Sequence, residues 1–186
     1  MKVSKSQVKN IIFLVIIALI FIPQTRQPIQ IALHKGLALF APSKVSKTKQ
    51  QTLENYNWQL RDGNGLILNF QDIKGKVIFL NFWATWCSPC IAEMPSIQKL
   101  YENYEDKVEF VFVSNEEFSN VNQFLNKNNY SFKVYNSVAN YPKFLDVTNI
   151  PRTFLIDKSG RIVIDKTGAA NWNSDVVKET INNLLR

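Results

Sequence analysis

The sequence predicts an α/β domain in which a mixed central β-sheet is flanked by helices. The uninterrupted apolar run at residues 77–83 is typical of a buried strand. An amphipathic segment at 88–104 and a second buried strand at 108–113 follow, in the order of a strand–helix–strand unit. Two later strands, 153–157 and 161–166, flank a tight turn and predict an antiparallel hairpin. A parallel unit joined to a hairpin gives a mixed sheet, and we expect helices on both of its faces.

The remaining elements extend that sheet at both ends of the chain. Residues 57–70 predict two short strands around Asp62-Gly63-Asn64-Gly65, a strong turn signal, and so an added N-terminal hairpin. Residues 121–125 lie in a predicted helix, and residues 132–135 in a predicted short strand. Ser174 is predicted to N-cap a last helix whose apolar side chains face inward.

Positive charge is confined to the N-terminal part of the chain. The formal net charge is +7, yet the first 50 residues contain eight basic residues and no acidic one. The remainder carries 14 basic and 15 acidic residues, so it is nearly neutral. A neutral folded part argues against a domain that binds nucleic acid, which would present a basic surface.

The apolar run at residues 11–22 follows Lys2, Lys5 and Lys9, and it predicts a membrane anchor or a signal segment. Counted from Val8, the stretch is 15 residues, about 22 Å as a helix, against a bilayer core of about 30 Å. No small-x-small cleavage pattern follows directly, which favours an uncleaved anchor over a cleaved signal or a buried segment. The clustered lysines favour an N-terminus inside and a domain outside the cytoplasm.

These features divide the chain into four parts. Residues 1–10 form a basic N-terminal region, 11–22 the anchor or signal, 23–54 a juxtamembrane segment with a linker, and 55–186 the folded domain. Within the third part, residues 29–41 are apolar at helical spacing and predict a helix that lies along the membrane surface or packs on the domain. Residues 43–52 are polar and predict a linker.

The chemistry of the chain points to its two cysteines, Cys87 and Cys90. Two cysteines cannot build a four-ligand zinc site or a disulfide scaffold. The single histidine, His34, lies outside the folded part, which excludes a His base or a His-rich metal site there. A CxxC pair alone fits a redox site, an inert pair or half of a metal site. Its position after Trp86, between a buried strand and a helix, favours the redox site.

A helix N-terminus explains why this position suits a thiolate. Unpaired N–H groups and the helix dipole stabilise negative charge there, and they lower a thiol pKa from about 8.5 toward 7. Cys87 meets these groups and is expected to be the more exposed, attacking cysteine. Cys90, one turn inside, is expected to close or resolve the disulfide. Pro89 suits the first helical turn because no N–H is needed there.

The run Val77–Cys90, VIFLNFWATWCSPC, resembles the active-site strand and motif of the thioredoxin superfamily. Asn149–Phe154, NIPRTF, resembles the loop that carries the family's cis-proline. The form of residues 81–86, Glu93, the added hairpin and the exported N-terminus are similar to the TlpA/ResA-like membrane-anchored thiol–disulfide oxidoreductases. The resemblance covers residues 55–186 and implies a thioredoxin-like fold, a redox-active Cys87–Cys90 disulfide, and neither a cofactor nor a metal.

The resemblance also assigns residues around the disulfide. It implies that Trp86, Ser88 and Pro89 shape the site, and that Ile150 offers backbone groups to an extended substrate segment. Pro151 would be cis and face the CxxC motif.

One position departs from ordinary thioredoxins, which carry a buried acid where this chain has Asn81. Asn cannot ionise, so a proton would have to come from elsewhere. Glu93 lies one turn beyond Cys90, and we expect it to tune the dithiol or transfer its proton; the alternative is a solvated helix residue.

The function predicted is an extracytoplasmic thiol–disulfide oxidoreductase that reduces protein disulfides. Its partners would be a disulfide-containing protein and a membrane redox donor, because the exterior supplies no reducing pool. Resemblance adds the cysteines of apocytochrome c as candidate substrates. The alternatives are a disulfide oxidant or isomerase, and a Cu(I)-binding chaperone on the same fold.

Overall fold

A computed structural model describes residues 4–21, 23–139, 141–142, 145 and 147–186. Within these ranges, five α-helices and seven strands follow the predicted order. The helices are α1 (Lys5–Phe21), α2 (Pro23–Leu37), α3 (Ser88–Tyr104), α4 (Phe118–Asn128) and α5 (Asp175–Leu185). The strands are β1 (Gln59–Asp62), β2 (Ile67–Asn69), β3 (Ile78–Phe82), β4 (Glu109–Val113), β5 (Val134–Ser137), β6 (Arg152–Ile156) and β7 (Ile162–Thr167).

The strands form one mixed sheet in the order β2-β1-β5-β4-β3-β6-β7. β4 pairs in parallel with β3 and β5, whereas the β1–β2 and β6–β7 hairpins and the β3–β6 pair are antiparallel. Strand β3 therefore lies in the interior of the sheet, with Leu80 between Val111 of β4 and Phe154 of β6. The predicted thioredoxin-like fold and both predicted hairpins are confirmed.

The two faces of the sheet are covered differently. Phe79 points into a core to which α3, α4 and α5 contribute buried residues, among them Met94, Val121 and Ile181. Leu80 points into a second core with Trp58, Phe70 and Ile73, from the N-terminal hairpin and a 3₁₀ helix at Phe70–Ile73. In the described part of the chain, α3, α4 and α5 thus pack into one core, although the sequence predicts helices on both faces. Large aromatic side chains of the hairpin region fill the other core instead.

The last helix begins at the predicted residue by a different interaction. Ser174 occupies the N-cap position of α5, but its side chain makes no capping hydrogen bond. The backbone carbonyl of Ser174 accepts from the N–H groups of Val177 and Lys178 instead. The inward faces of Val177 and Ile181 are as predicted.

The second N-terminal helix packs on the domain, one of the two predicted alternatives. Helix α2 contacts α3, and its residues Gln30, Ile31 and His34 are half-buried. The apolar stripe that predicted the helix faces elsewhere, since Leu33 is 71% exposed and Leu37 57%. In the described part of the chain no helix combines the length and apolar character needed to cross a bilayer.

The polar segment 43–52 differs from a free linker because it runs along the edge of the sheet. Lys44 and Thr52 form bridges with Ile164 and Arg161, at and next to β7. The N–H of Val45 donates to Val163 at 2.9 Å, and the N–H of Ile162 donates to Gln51 at 2.8 Å. Edge backbone groups need partners, and this segment supplies them whatever its side chains are.

Candidate active site

A disulfide lies between the end of strand β3 and the start of helix α3. Cys87 and Cys90 are joined, with their Cα atoms 5.2 Å apart. Cys87 is the N-cap residue of α3, and its sulfur accepts a hydrogen bond from the N–H of Cys90 at 3.3 Å. Cys87 is 5% exposed and Cys90 0%. The pair therefore sits where unpaired helix N–H groups favour a thiolate, with Cys87 the more accessible sulfur.

The Ile150–Pro151 peptide bond is cis and lies at the same end of the sheet as the disulfide. This placement follows from the register of β6, because Arg152 pairs with Phe82, the last residue of β3. A cavity of about 200 Å³ is lined by Trp83, Trp86 and Ile150, among others. Trp86 is 67% exposed at its mouth. The structure thus brings Trp86 and Ile150 together at one cavity.

Ser88 and Pro89 do not line that cavity. The hydroxyl of Ser88 donates to Oε1 of Gln30 in α2 at 3.2 Å, and Ser88 is buried. Pro89 lines a separate cleft with His34 and Phe40 of the N-terminal segment. The first turn of α3 therefore has one side beneath α2 and another beside the cavity.

Glu93 is completely buried, so the alternative of a solvated helix residue is wrong. Its Oε2 accepts from Trp172 Nε1 at 2.9 Å and from the N–H of Ala170 at 3.2 Å. Its Oε1 accepts from Asn81 Nδ2 at 3.1 Å. Burial raises the pKa of Glu93 from 4.5 to about 8, outweighing these hydrogen bonds, which lower it. A carboxyl with this pKa holds a proton at neutral pH and can exchange it.

Asn81 links Glu93 to the neighbouring strand. Its Nδ2 donates both to Glu93 and to the hydroxyl of Thr153 in β6, the latter at 2.7 Å. Its Oδ1 is buried without a hydrogen-bond partner among the described residues. Rotating this amide by a half turn would place Oδ1 where a protonated Glu93 could donate to it. Asn81 can therefore serve both charge states of the carboxyl although it cannot ionise.

Sequence reasoning missed several residues of this site. Trp172 is a hydrogen-bond donor to Glu93. Gln30 and Glu116 were not singled out, yet they contact Ser88 and Thr85. Each contact joins residues at least 31 positions apart in the chain, so no local spacing indicates it. Over the described ranges, no group of three or more His, Cys, Asp or Glu side chains is placed to hold a metal.

Comparisons with known proteins agree with this geometry. The redoxin family profile matches residues 47–184. The thiol-disulfide oxidoreductase ResA of Bacillus anthracis is 36% identical over 134 residues, which cover 69% of this chain and 76% of the relative. The ResA of Bacillus subtilis is 36% identical over 115 residues, covering 60% of this chain and 64% of the relative.

Solved structures match the same region. The crystal structure of StoA from Bacillus subtilis superposes with a TM-score of 0.53 at 25% identity. That alignment covers 67% of this chain and 92% of StoA. Family, fold and the Cys87–Cys90 pair agree. The chain is a thiol–disulfide oxidoreductase that belongs to the redoxin family, in the TlpA/ResA-like group of the thioredoxin superfamily.

Proposed function

We propose that this oxidoreductase reduces protein disulfides outside the cytoplasm, tethered to the membrane by its N-terminal segment. The observation that carries the reaction is the position of Cys87 at the start of α3, next to Trp86, which lines a cavity with Ile150, and six residues before the buried carboxyl of Glu93. The nucleophilic sulfur of Cys87 thus lies near both a binding surface and a proton source.

The reaction begins from the dithiol form. The Cys87 thiolate attacks a substrate disulfide, forms a mixed disulfide and releases one substrate thiolate, which takes up a proton. Cys90 then loses its proton and attacks the Cys87 sulfur, which releases the second substrate sulfur and closes the Cys87–Cys90 disulfide. Two electrons pass to the substrate, and a dithiol donor must return two electrons to the enzyme.

Glu93 supplies the proton exchange in this scheme. It is three residues beyond Cys90 on the same helix and, with its pKa of about 8, holds a proton that it can give to the released substrate thiolate. The carboxylate so formed then takes the proton that Cys90 loses. Trp86 and Ile150 would contact the substrate, with Pro151 shaping the cavity beside them. Ser88 and Pro89 would act by fixing the first turn of α3 beneath α2.

The N-terminal segment supports a membrane location. Apolar side chains of α1, including Ile11, Phe13 and Leu14, are exposed, as are Ile29 and Leu33 of α2. Lys2, Lys5 and Lys9 precede the apolar run that begins at Ile11, and no acidic residue occurs among the first 50. A domain held outside the cytoplasm would need a membrane dithiol donor. Cysteines of apocytochrome c remain the candidate substrates, which would place the enzyme in cytochrome c maturation.

The reduction potential of the Cys87–Cys90 couple tests the direction of the reaction. A reductase should lie near about −270 mV, whereas a strong oxidant lies near about −120 mV. The redox state of both cysteines in living cells should be mainly dithiol if a donor serves them. A potential near the oxidant value, together with a mainly oxidised cysteine pair, would show that the protein oxidises its substrates and is not a reductase.

The location has its own test. Protease added to intact cells should digest the domain, and the protein should sediment with membranes and retain its N-terminus. A form resistant to the protease would contradict the export. A soluble form with a new N-terminus would contradict the tether alone.

A further inference from the structure

A carboxylate three residues beyond β4 is hydrogen-bonded to the loop that leads into the CxxC motif. Glu116 accepts two hydrogen bonds from Thr85, one from its N–H and one from its hydroxyl, each at 2.6 Å. Each donor uses a different oxygen of the carboxylate. Hydrogen bonds to an ionised acceptor are the strong ones in proteins, and a paired contact fixes orientation as well as distance.

Glu116 is itself fixed to the sheet. The hydroxyl of Ser114 accepts from the N–H of Glu116 and donates to its Oε2, both at 3.3 Å. Asn136 of β5 donates to the carbonyl oxygens of Ser114 and Glu116, at 2.7 and 3.1 Å. The carboxylate therefore transmits the position of the β4–β5 pair to the loop.

The loop that Glu116 holds, which contains Thr85 and Trp86, forms part of the wall of the cavity beside the disulfide. Thr85 precedes Trp86, and the N–H of Cys87 donates to the carbonyl of Ala84 at 3.2 Å, closing a turn around both residues. Trp86 and Glu116 line the same cavity as Ile150. Holding Thr85 thus holds Trp86 against the surface that an extended substrate segment would use.

From these contacts we infer that Glu116 is a positioning residue for substrate recognition, acting through Thr85 on the Trp86 wall. It selects disulfides carried by an extended peptide over small disulfides, which reach Cys87 without touching that wall. The inference rests on thiol–disulfide exchange at Cys87 and not on its direction. Its failure is therefore distinct from a potential that contradicts the reductase.

Steady-state kinetics of the full-length protein test the inference with two substrates. One is a short synthetic peptide closed by a disulfide, and the other is 2-hydroxyethyl disulfide, with dithiothreitol as the reductant. Glu116→Gln leaves one acceptor oxygen for the three donors that the carboxylate serves. We expect its KM for the peptide to rise about tenfold, by more than kcat falls, because a charge-assisted bond is lost. The rate with 2-hydroxyethyl disulfide should change less than about twofold.

Glu117→Gln is the matched control. It removes the same charge one residue along, where the side chain makes no capping hydrogen bond. Its KM for the peptide should equal that of the wild type. An equal KM in Glu116→Gln and Glu117→Gln, or equal losses with both substrates, would overturn the inference.

Variants of Thr85 give a second test of the inference, which stays valid if Glu116→Gln fails to fold. Thr85→Val removes the hydroxyl donor and should raise the KM for the peptide, whereas Thr85→Ser keeps the donor and should restore it. A KM for the peptide that is as high in Thr85→Ser as in Thr85→Val would contradict the inference.

Discussion

The two sides of the CxxC motif differ in what covers them. On one side, Trp86 is 67% exposed and borders the cavity with Ile150. On the other, Ser88 is buried and bonded to Gln30 of α2. The disulfide itself is nearly inaccessible, with Cys87 5% exposed. A substrate must therefore approach from the Trp86 side, and the α2 side serves to hold the first turn of α3 in place.

The largest effects on turnover should come from replacing the two cysteines, which lie between these two sides. Cys90→Ser should lose turnover yet accumulate mixed disulfides through Cys87, because nothing remains to displace the substrate. Cys87→Ser should lose both turnover and adducts. Non-reducing gels and mass spectrometry of the adducts measure this and identify the partner. Adducts formed through Cys90 in Cys87→Ser would show that the roles are reversed.

Replacing the buried Glu93 should alter both the rate of thiol–disulfide exchange and the pH dependence of that rate. Glu93→Gln should slow exchange by about a hundredfold, the usual scale of lost acid–base catalysis. The sharpest check is the pH profile of single-turnover exchange, from which one titration should vanish. An unchanged rate and profile would make Glu93 a structural residue only.

The same group should give stability a particular pH dependence. Because the folded state raises the pKa of Glu93 from 4.5 to about 8, it retains a proton that the unfolded chain loses. This contribution is fully present below pH 4.5 and is lost as pH rises through about 8. The free energy of unfolding of the oxidised protein should therefore fall less steeply over this range in Glu93→Gln than in the wild type. Urea titrations at a series of pH values measure both slopes, and equal slopes would contradict the raised pKa.

A matched pair of substitutions compares the two sides directly. Trp86→Ala removes the exposed wall of the cavity and should raise the KM for a peptide disulfide about tenfold. Ser88→Ala removes one hydrogen bond beneath α2 and should change that KM less than about twofold. Equal effects on the two sides would mean that substrates also contact Ser88.

The smallest effect should come from loosening α2. Ile31 is half-buried and, with Ile91 of α3, lines a cleft beneath that helix. Ile31→Asp should cost about 1 kcal/mol of stability or less and speed hydrogen exchange in α2, while β3 stays protected. Ala32→Asp, on an exposed part of the same helix, is the control. Equal exchange in both variants would show that Ile31 does not hold α2.

Local patterns predict the framework of this molecule but not the contacts within its site. The hairpins follow from turn residues such as those at 62–65, and β3 follows from its apolar run. The sequence also predicts the position of Cys87 at the start of a helix. The bonds from Trp172 to Glu93 and from Thr85 to Glu116 were not, because they join residues 79 and 31 positions apart. Only the assembled sheet brings such residues together.

The segment 43–52 has a consequence for how the chain avoids association with itself. Strand β7 closes one end of the sheet, and a bare edge of six residues would offer its backbone to another molecule. Lys44 and Thr52 occupy part of that edge, and the opposite edge strand, β2, is only three residues long. A chain that began at residue 55 would keep Cys87, Cys90 and Glu93 but leave β7 uncovered, and it would aggregate more readily than the full protein.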